Sequence, residues 1–263
     1  EWRQRLFSIA TSTTDSTVAA GVCGTCLLHS YQMLAELEEY YPGSPLTSGG
    51  YFFDTRPNRD PMISFHRRYP FLYNFLEDVP QRYGTPLTPS ETDDEINLRI
   101  ARSMTEIVLP HFMWEASNIA TDRGAIMNSI QELLSAPSGT SWISFLISVL
   151  PDGSTQAHAM PILRTSSGLV VVPTNLMSEF HDFVMATQAT MNAETVYDHL
   201  SQQRTENIIF FATLRLGGID ANSLNSVMSQ NNCTGDGQGR RGNRRFPGSS
   251  LVNQCVSGRC AIF

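Results

Sequence analysis

Between Ser135 and Ser141 the spacing of apolar residues along the chain changes. Before that point they recur at helical intervals. Leu27, Leu28, Tyr31, Leu34 and Leu37 mark a helix over 27–41. Further helices are expected over 92–108, opened by an acid-rich turn, and over 122–134, with Asp122 as N-cap. After it, Ser141–Leu150 is β-branched and aromatic, and Pro151-Asp152-Gly153-Ser154 is a turn. Residues 157–164 and 169–172 then flank Ser166-Ser167-Gly168, the pattern of two successive hairpins. Helical segments around 176–188 and 193–203 lead into a last strand over 207–216, while 42–60, rich in Gly, Pro, Ser and Asp, reads as a loop. Helices first and antiparallel strands later make this an α+β chain of two layers or lobes.

Composition changes near residue 228, which divides the chain into a folded domain over 1–227 and a flexible Arg-rich tail over 228–263. Residues 1–230 carry 13 Arg against 24 acids, a balance of −11, whereas 231–263 carry five Arg against Asp236 alone, a balance of +4. An acidic body lacks the basic face that nucleic-acid binding needs, so that class is set aside. The longest apolar run, Trp142–Leu150, is half of the ~20 residues a membrane helix requires. No basic, apolar leader precedes Glu1 and the chain does not begin with Met, which reads as a trimmed or mature chain. All 18 basic side chains are Arg, and Lys is absent. Since Lys amines are the attachment points for ubiquitin, a Lys-free chain fits a protein that must survive inside a eukaryotic cell.

Cys23-Gly24-Thr25-Cys26 stands just before the first periodic helix. A zinc site needs a second compact ligand pair, and the remaining cysteines lie in the tail. A redox pair wants a βαβ setting, which the following strands do not supply. A nucleophile at a helix N-terminus remains, where free N–H groups favour the thiolate. Such a thiolate needs a base, and the base an orienting group. His158, on the first strand of the second hairpin, is the best placed of the six His, and Asn175 emerges at the far end of the neighbouring strand. Asp152 and Asp182 are alternative orienting groups, and His29 reads as a polar residue on the helix face. No cofactor or metal is called for.

Val22-Cys23-Gly24-Thr25-Cys26-Leu27 resembles the segment around the nucleophile of papain-like cysteine proteases, and the order Cys, His, Asn is similar as well. The resemblance implies a papain-like fold, with a helical lobe carrying Cys26 and an antiparallel sheet lobe carrying His158 and Asn175. It makes Cys26 the nucleophile, His158 the base and then the acid, and Asn175 the orienting group. The sequence departs from the family where a Gln completes the oxyanion hole, since Ala20 stands there, and a hydroxyl from Thr11–Thr17 is the expected substitute. Leu27 and His29 replace the usual aromatic residues after the nucleophile. These departures resemble the divergent bacterial toxins and effectors of this fold, among them proteases, deamidases and acyl transferases. The implied function is a secreted toxin or effector acting inside a eukaryotic host cell, on a host protein.

The tail resembles the nicked loop of two-fragment (A–B) toxins. Cys233 and Cys255 bracket a Gly- and Arg-rich stretch in which Arg241-Gly242-Asn243-Arg244 fits R-x-x-R. That resemblance implies a Cys233–Cys255 disulfide, cleavage at Arg244 and Arg245, and a separate binding (B) subunit as partner. Cys260-Ala261-Ile262-Phe263 also fits the prenylation pattern, a competing reading that would bring the tail to a membrane. Two rival functions stay open. An ADP-ribosylating A subunit would use an E-x-E such as Glu36-Leu37-Glu38, and a non-enzymatic binding protein would use its thiols structurally.

Overall fold

The computed structural model describes residues 2–12, 24–38, 51–55, 60–110, 112–175, 179–201 and 207–219. The tail, with Cys233, Cys255, Arg244, Arg245 and Cys260, lies outside the described residues, as do Cys23 and Ala20.

The chain is mixed α+β and its strands form a five-stranded antiparallel sheet. In chain order the elements are α1 (Trp2–Ala10), α2 (Thr25–Glu38), α3 (Pro61–Arg68), α4 (Pro70–Tyr83), α5 (Asp93–Val108), β1 (Phe112–Ala116), α6 (Arg123–Ser135), β2 (Ser141–Val149), β3 (Thr155–Thr165), β4 (Gly168–Val171), α7 (Phe180–Ala186), α8 (Ala193–Leu200) and β5 (Asn207–Ile219). The sheet order is β1-β5-β2-β3-β4. The β2–β3 and β3–β4 hairpins fall where the turn residues place them.

The helix starts follow local chemistry. Thr92 and Glu95 form a reciprocal capping box on α5, and Asp122 accepts the Ala125 N–H at the start of α6. Asp60 caps α3, whose first residue is Pro61, and Pro70 opens α4 in the same way. The segments α1, α3, α4 and β1 are additions to the sequence reading.

Helices cover both faces of the sheet. On one face Ile143, Ala159, Val170, Val172, Phe210 and Ala212 pack against α1 to α5. On the other, Trp142, Leu146, Met160, Ile162, Leu169 and Val171 meet α6 and α8. This period-2 division makes the sheet the middle of a three-layer arrangement.

Segment 51–55, read as loop, is neither helix nor strand, yet Tyr51, Phe52 and Phe53 are buried. A polar network pins it to α2. Arg5 grips Glu36 with two bonds of 2.6 Å and donates to Thr55 Oγ1 at 2.7 Å. Gln32 donates to Glu36 and accepts the Phe52 N–H at 2.9 Å. Burial pushes the Glu36 carboxyl up, while Arg5 and Gln32 hold it the other way. Glu36, first acid of the E-x-E, is therefore engaged in the core.

Gly168 closes the β3–β4 turn at φ 138°, and a Cβ there would lie 2.3 Å from the Thr190 carbonyl oxygen. Leu169 and Thr190 exchange backbone bonds of 2.9 and 3.0 Å at that point, so neither side can retreat without breaking them. Gly168→Ala is expected to lower stability by more than about 1 kcal/mol. A urea midpoint unchanged from wild type would contradict this account.

Candidate active site

The fold leaves one corner of the sheet unfinished. Val172 donates to the Pro161 carbonyl at 2.9 Å, after which Pro173 follows and the β3–β4 ladder stops. On β3 the next residue facing that edge is Ala159, two before Pro161. Its N–H and C=O are not taken by a strand. The carbonyl accepts the Thr174 hydroxyl at 2.8 Å, and the N–H is hydrogen-bonded to the Cys26 thiol. The first turn of α2 is thereby brought against β3 beside His158.

Cys26 sits in that first turn, where Leu27 and Leu28 donate to the Gly24 carbonyl at 3.0 and 3.2 Å. It is half-buried and its thiol is free. Burial pushes the thiol up, against the N–H groups of Ala159, Leu27 and Cys26 itself, which favour the thiolate. The expected lowering by the helix N-terminus is thus present but outweighed. A resting thiol of this kind needs a base to become a nucleophile.

His158 is buried, and its Nε2 lies 3.2 Å from Thr174 Oγ1. Thr174, adjacent to the expected Asn175, is thus hydrogen-bonded at this ring nitrogen. Asn175 adopts φ 55°, is exposed, and contributes its backbone N–H to His29 Nδ1 at 3.3 Å. Of the other orienting groups considered, Asp152 accepts from Ser154 within its own turn, and Asp182 lies exposed in the first turn of α7.

His29 is the larger departure from expectation. Read from the sequence as a polar residue on the helix face, it is fully buried, one turn after Cys26. Its Nε2 is 3.2 Å from the Ser12 carbonyl, and its ring packs 5.5 Å from that of Phe53. Burial, assisted by the nearby His158, lowers its pKa to about 3, with the Ser12 carbonyl opposing. The i, i+3 spacing of Cys26 and His29 was the available signal, because it sets both on one face of the helix.

Two hydroxyls from the stretch expected to complete an oxyanion hole are committed elsewhere. Thr11 donates to Phe7 at 2.8 Å and Ser12 to Ile9 at 2.6 Å, both onto carbonyls of α1. The rest of that stretch, 13–17, lies outside the described residues. Among the described residues no group of three or more His, Cys, Asp or Glu is arranged to hold a metal ion, and no helix is long and apolar enough to cross a membrane.

A family model described as "Protein of unknown function (DUF1561)" matches residues 1–261. The chain belongs to that family. No curated protein matches it. Among solved structures it is similar to the crystal structure of the Pseudomonas avirulence protein AvrPphB, with 12% identity and a TM-score of 0.40, over 77% of this chain and 99% of that one.

Proposed function

We propose that this DUF1561 protein is a cysteine-dependent hydrolase, a protease or deamidase, with Cys26 as nucleophile and His158 as base and then acid. The observation that carries the reading is the hydrogen-bond arithmetic at Thr174. A hydroxyl has one proton, and Thr174 gives it to the Ala159 carbonyl at 2.8 Å. Toward His158 Nε2, at 3.2 Å, it acts as acceptor, so Nε2 carries the hydrogen and Nδ1 keeps the lone pair. The imidazole keeps its lone pair on Nδ1, the nitrogen proposed to take the thiol proton, and Thr174 takes the orienting role first assigned to Asn175, whose backbone N–H anchors the same segment.

On this reading His158 Nδ1 removes the thiol proton as Sγ attacks the substrate carbonyl carbon. The oxygen becomes negative, and the Cys26 N–H, in the first turn of α2, is one donor to it. The imidazolium then returns its proton to the departing amine, leaving a thioester. Water, deprotonated by His158, attacks the thioester and restores the thiol. If an amine attacks in its place, the same residues perform acyl transfer.

Secretion and a host protein as substrate belong to the same proposal, and persistence inside a eukaryotic cell is supported by the absence of Lys from all 263 residues. Cleavage of the tail at Arg244 and Arg245, a Cys233–Cys255 bridge and a B subunit belong to the same proposal and rest on the tail's resemblance alone.

An epoxide warhead tests the chemistry without knowledge of the substrate. One thiol is expected to react far faster than the others, to map by fragment ions to Cys26 rather than Cys23, and to slow by about 10²-fold or more in His158→Ala. Equal reaction at several thiols, or a rate indifferent to His158→Ala, would overturn the assignment in favour of structural thiols.

A further inference from the structure

We infer that His29 is a positioning residue for the Cys26–His158 chemistry, holding the Thr174 hydroxyl against His158 by accepting the Asn175 N–H at its Nδ1. The inference rests on the hydrolase reading above and adds a residue that the Cys-His-Asn order does not contain.

A chain of hydrogen bonds runs outward from the base. The His158 tautomer depends on the Thr174 oxygen 3.2 Å from Nε2. Thr174 lies beyond the end of β4, so no ladder fixes it. Two bonds do: its hydroxyl to the Ala159 carbonyl at 2.8 Å, and the next residue's N–H to His29 Nδ1 at 3.3 Å. The second bond matters because it fixes the turn at Asn175, whose φ of 55° is a left-handed conformation that Asn adopts more readily than other residues with side chains, so the turn is accessible without a strained backbone and the bond sets where it sits.

His29 can accept at Nδ1 only as the Nε2–H tautomer, and its other nitrogen fixes that state. Nε2 lies 3.2 Å from the Ser12 carbonyl, which can only accept. The Ser12 hydroxyl, 3.3 Å from the same nitrogen, donates to the Ile9 carbonyl at 2.6 Å and so cannot force the opposite tautomer. Charging the ring would destroy the acceptor and place a cation near His158. Complete burial, with Phe53 on one side, keeps it neutral. His29 therefore ties together the end of α1, the helix of the nucleophile and the segment that orients the base.

Two substitutions separate its nitrogens. In His29→Asn the amide oxygen can occupy the Nδ1 position and still accept from Asn175. In His29→Gln the amide reaches the Nε2 position and the Asn175 N–H loses its acceptor. The readout is the rate of Cys26 alkylation by iodoacetamide as a function of pH, with far-UV circular dichroism to verify folding. His29→Gln is expected to slow alkylation at pH 7 by about tenfold and to move the pH midpoint up, toward that of His158→Ala. His29→Asn should keep the wild-type midpoint. Thr174→Val should reproduce the His29→Gln shift, and the double variant should add little, since both act through one oxygen.

A residue with a purely structural role would lower stability and leave the midpoint in place. If His29→Gln folds and keeps the wild-type midpoint, or if His29→Asn behaves like His29→Gln, the inference is wrong while the hydrolase reading stands. If His158→Ala itself moves nothing, the hydrolase reading falls first. Should His29→Gln fail to fold, long-range ¹H–¹⁵N spectra of the wild-type protein decide the matter. An Nε2–H ring that does not titrate between pH 5 and 8 supports the inference, and an Nδ1–H ring overturns it.

Discussion

Cys26→Ala is expected to reduce turnover by about 10⁴-fold or more while leaving the fold in place, the largest effect foreseen for any single substitution here. The two halves of that expectation have separate causes. Under the proposed mechanism turnover is lost because the thiol that forms the thioester is Cys26, a free thiol in the first turn of α2. The fold survives because Ala is well tolerated in a helix and the residue is only half-buried. The first-turn bonds from Leu27 and Leu28 to Gly24 involve backbone alone. A stability change of about 1 kcal/mol is foreseen, measured by urea unfolding. His158→Ala should be nearly as damaging, and the double variant no worse, because nucleophile and base act as one unit. Activity on a peptide or protein substrate that persists in Cys26→Ala but disappears in Cys23→Ala would show the wrong cysteine had been chosen.

The second large effect is on stability in acid. His29 has its pKa lowered from 6.5 to about 3 by burial. Below pH 6.5 the unfolded chain takes up a proton at this position that the folded chain refuses, so stability declines with falling pH until the folded value near 3 is passed. At 1.36 kcal/mol per pH unit the full decline is roughly 5 kcal/mol. Glu36 contributes with the opposite sign. Its raised carboxyl binds a proton more readily when folded, so its contribution grows as the pH falls. Comparing wild type with His29→Asn removes that term and others common to both. The gap between their urea midpoints should change steadily from pH 7 to pH 4, with wild type losing more. Parallel curves would count against a buried neutral imidazole.

What could be read from the sequence was mostly what is encoded nearby. Asp122 caps α6, the turn at Pro151–Ser154 joins β2 to β3, and Cys26 opens a helix, because each depends on a few consecutive residues. The three-layer arrangement was less visible. Pro61 and Pro70 mark helix starts, but between them and α2 lies a stretch rich in Gly, Pro, Ser and Asp that hides the pattern. Strand β1 is five residues long and takes its identity from pairing with β5, a hundred residues later. The burial of His29 escaped for a related reason. Thr25 and Leu27 through Glu36 are all buried, so α2 has no polar face for a helical wheel to reveal. The choice between Thr174 and Asn175 turns on one residue of register beyond a strand end, where Thr174 Oγ1 lies 3.2 Å from His158 Nε2 and Asn175 is exposed at φ 55°.

The unfinished corner between β3 and β4 has a consequence for how such a protein can be improved. A sheet gains stability by completing its ladders, and one further paired residue on β4 would claim both polar groups of Ala159. It would also take from Cys26 its contact with β3 and from Thr174 the acceptor that fixes its proton. Under the proposed function, selection for a more robust fold and selection for a reactive thiol pull this corner in opposite directions. If the proposed hydrolase chemistry holds, a thermostabilised variant that heals the gap would be a durable, chemically silent copy of the protein.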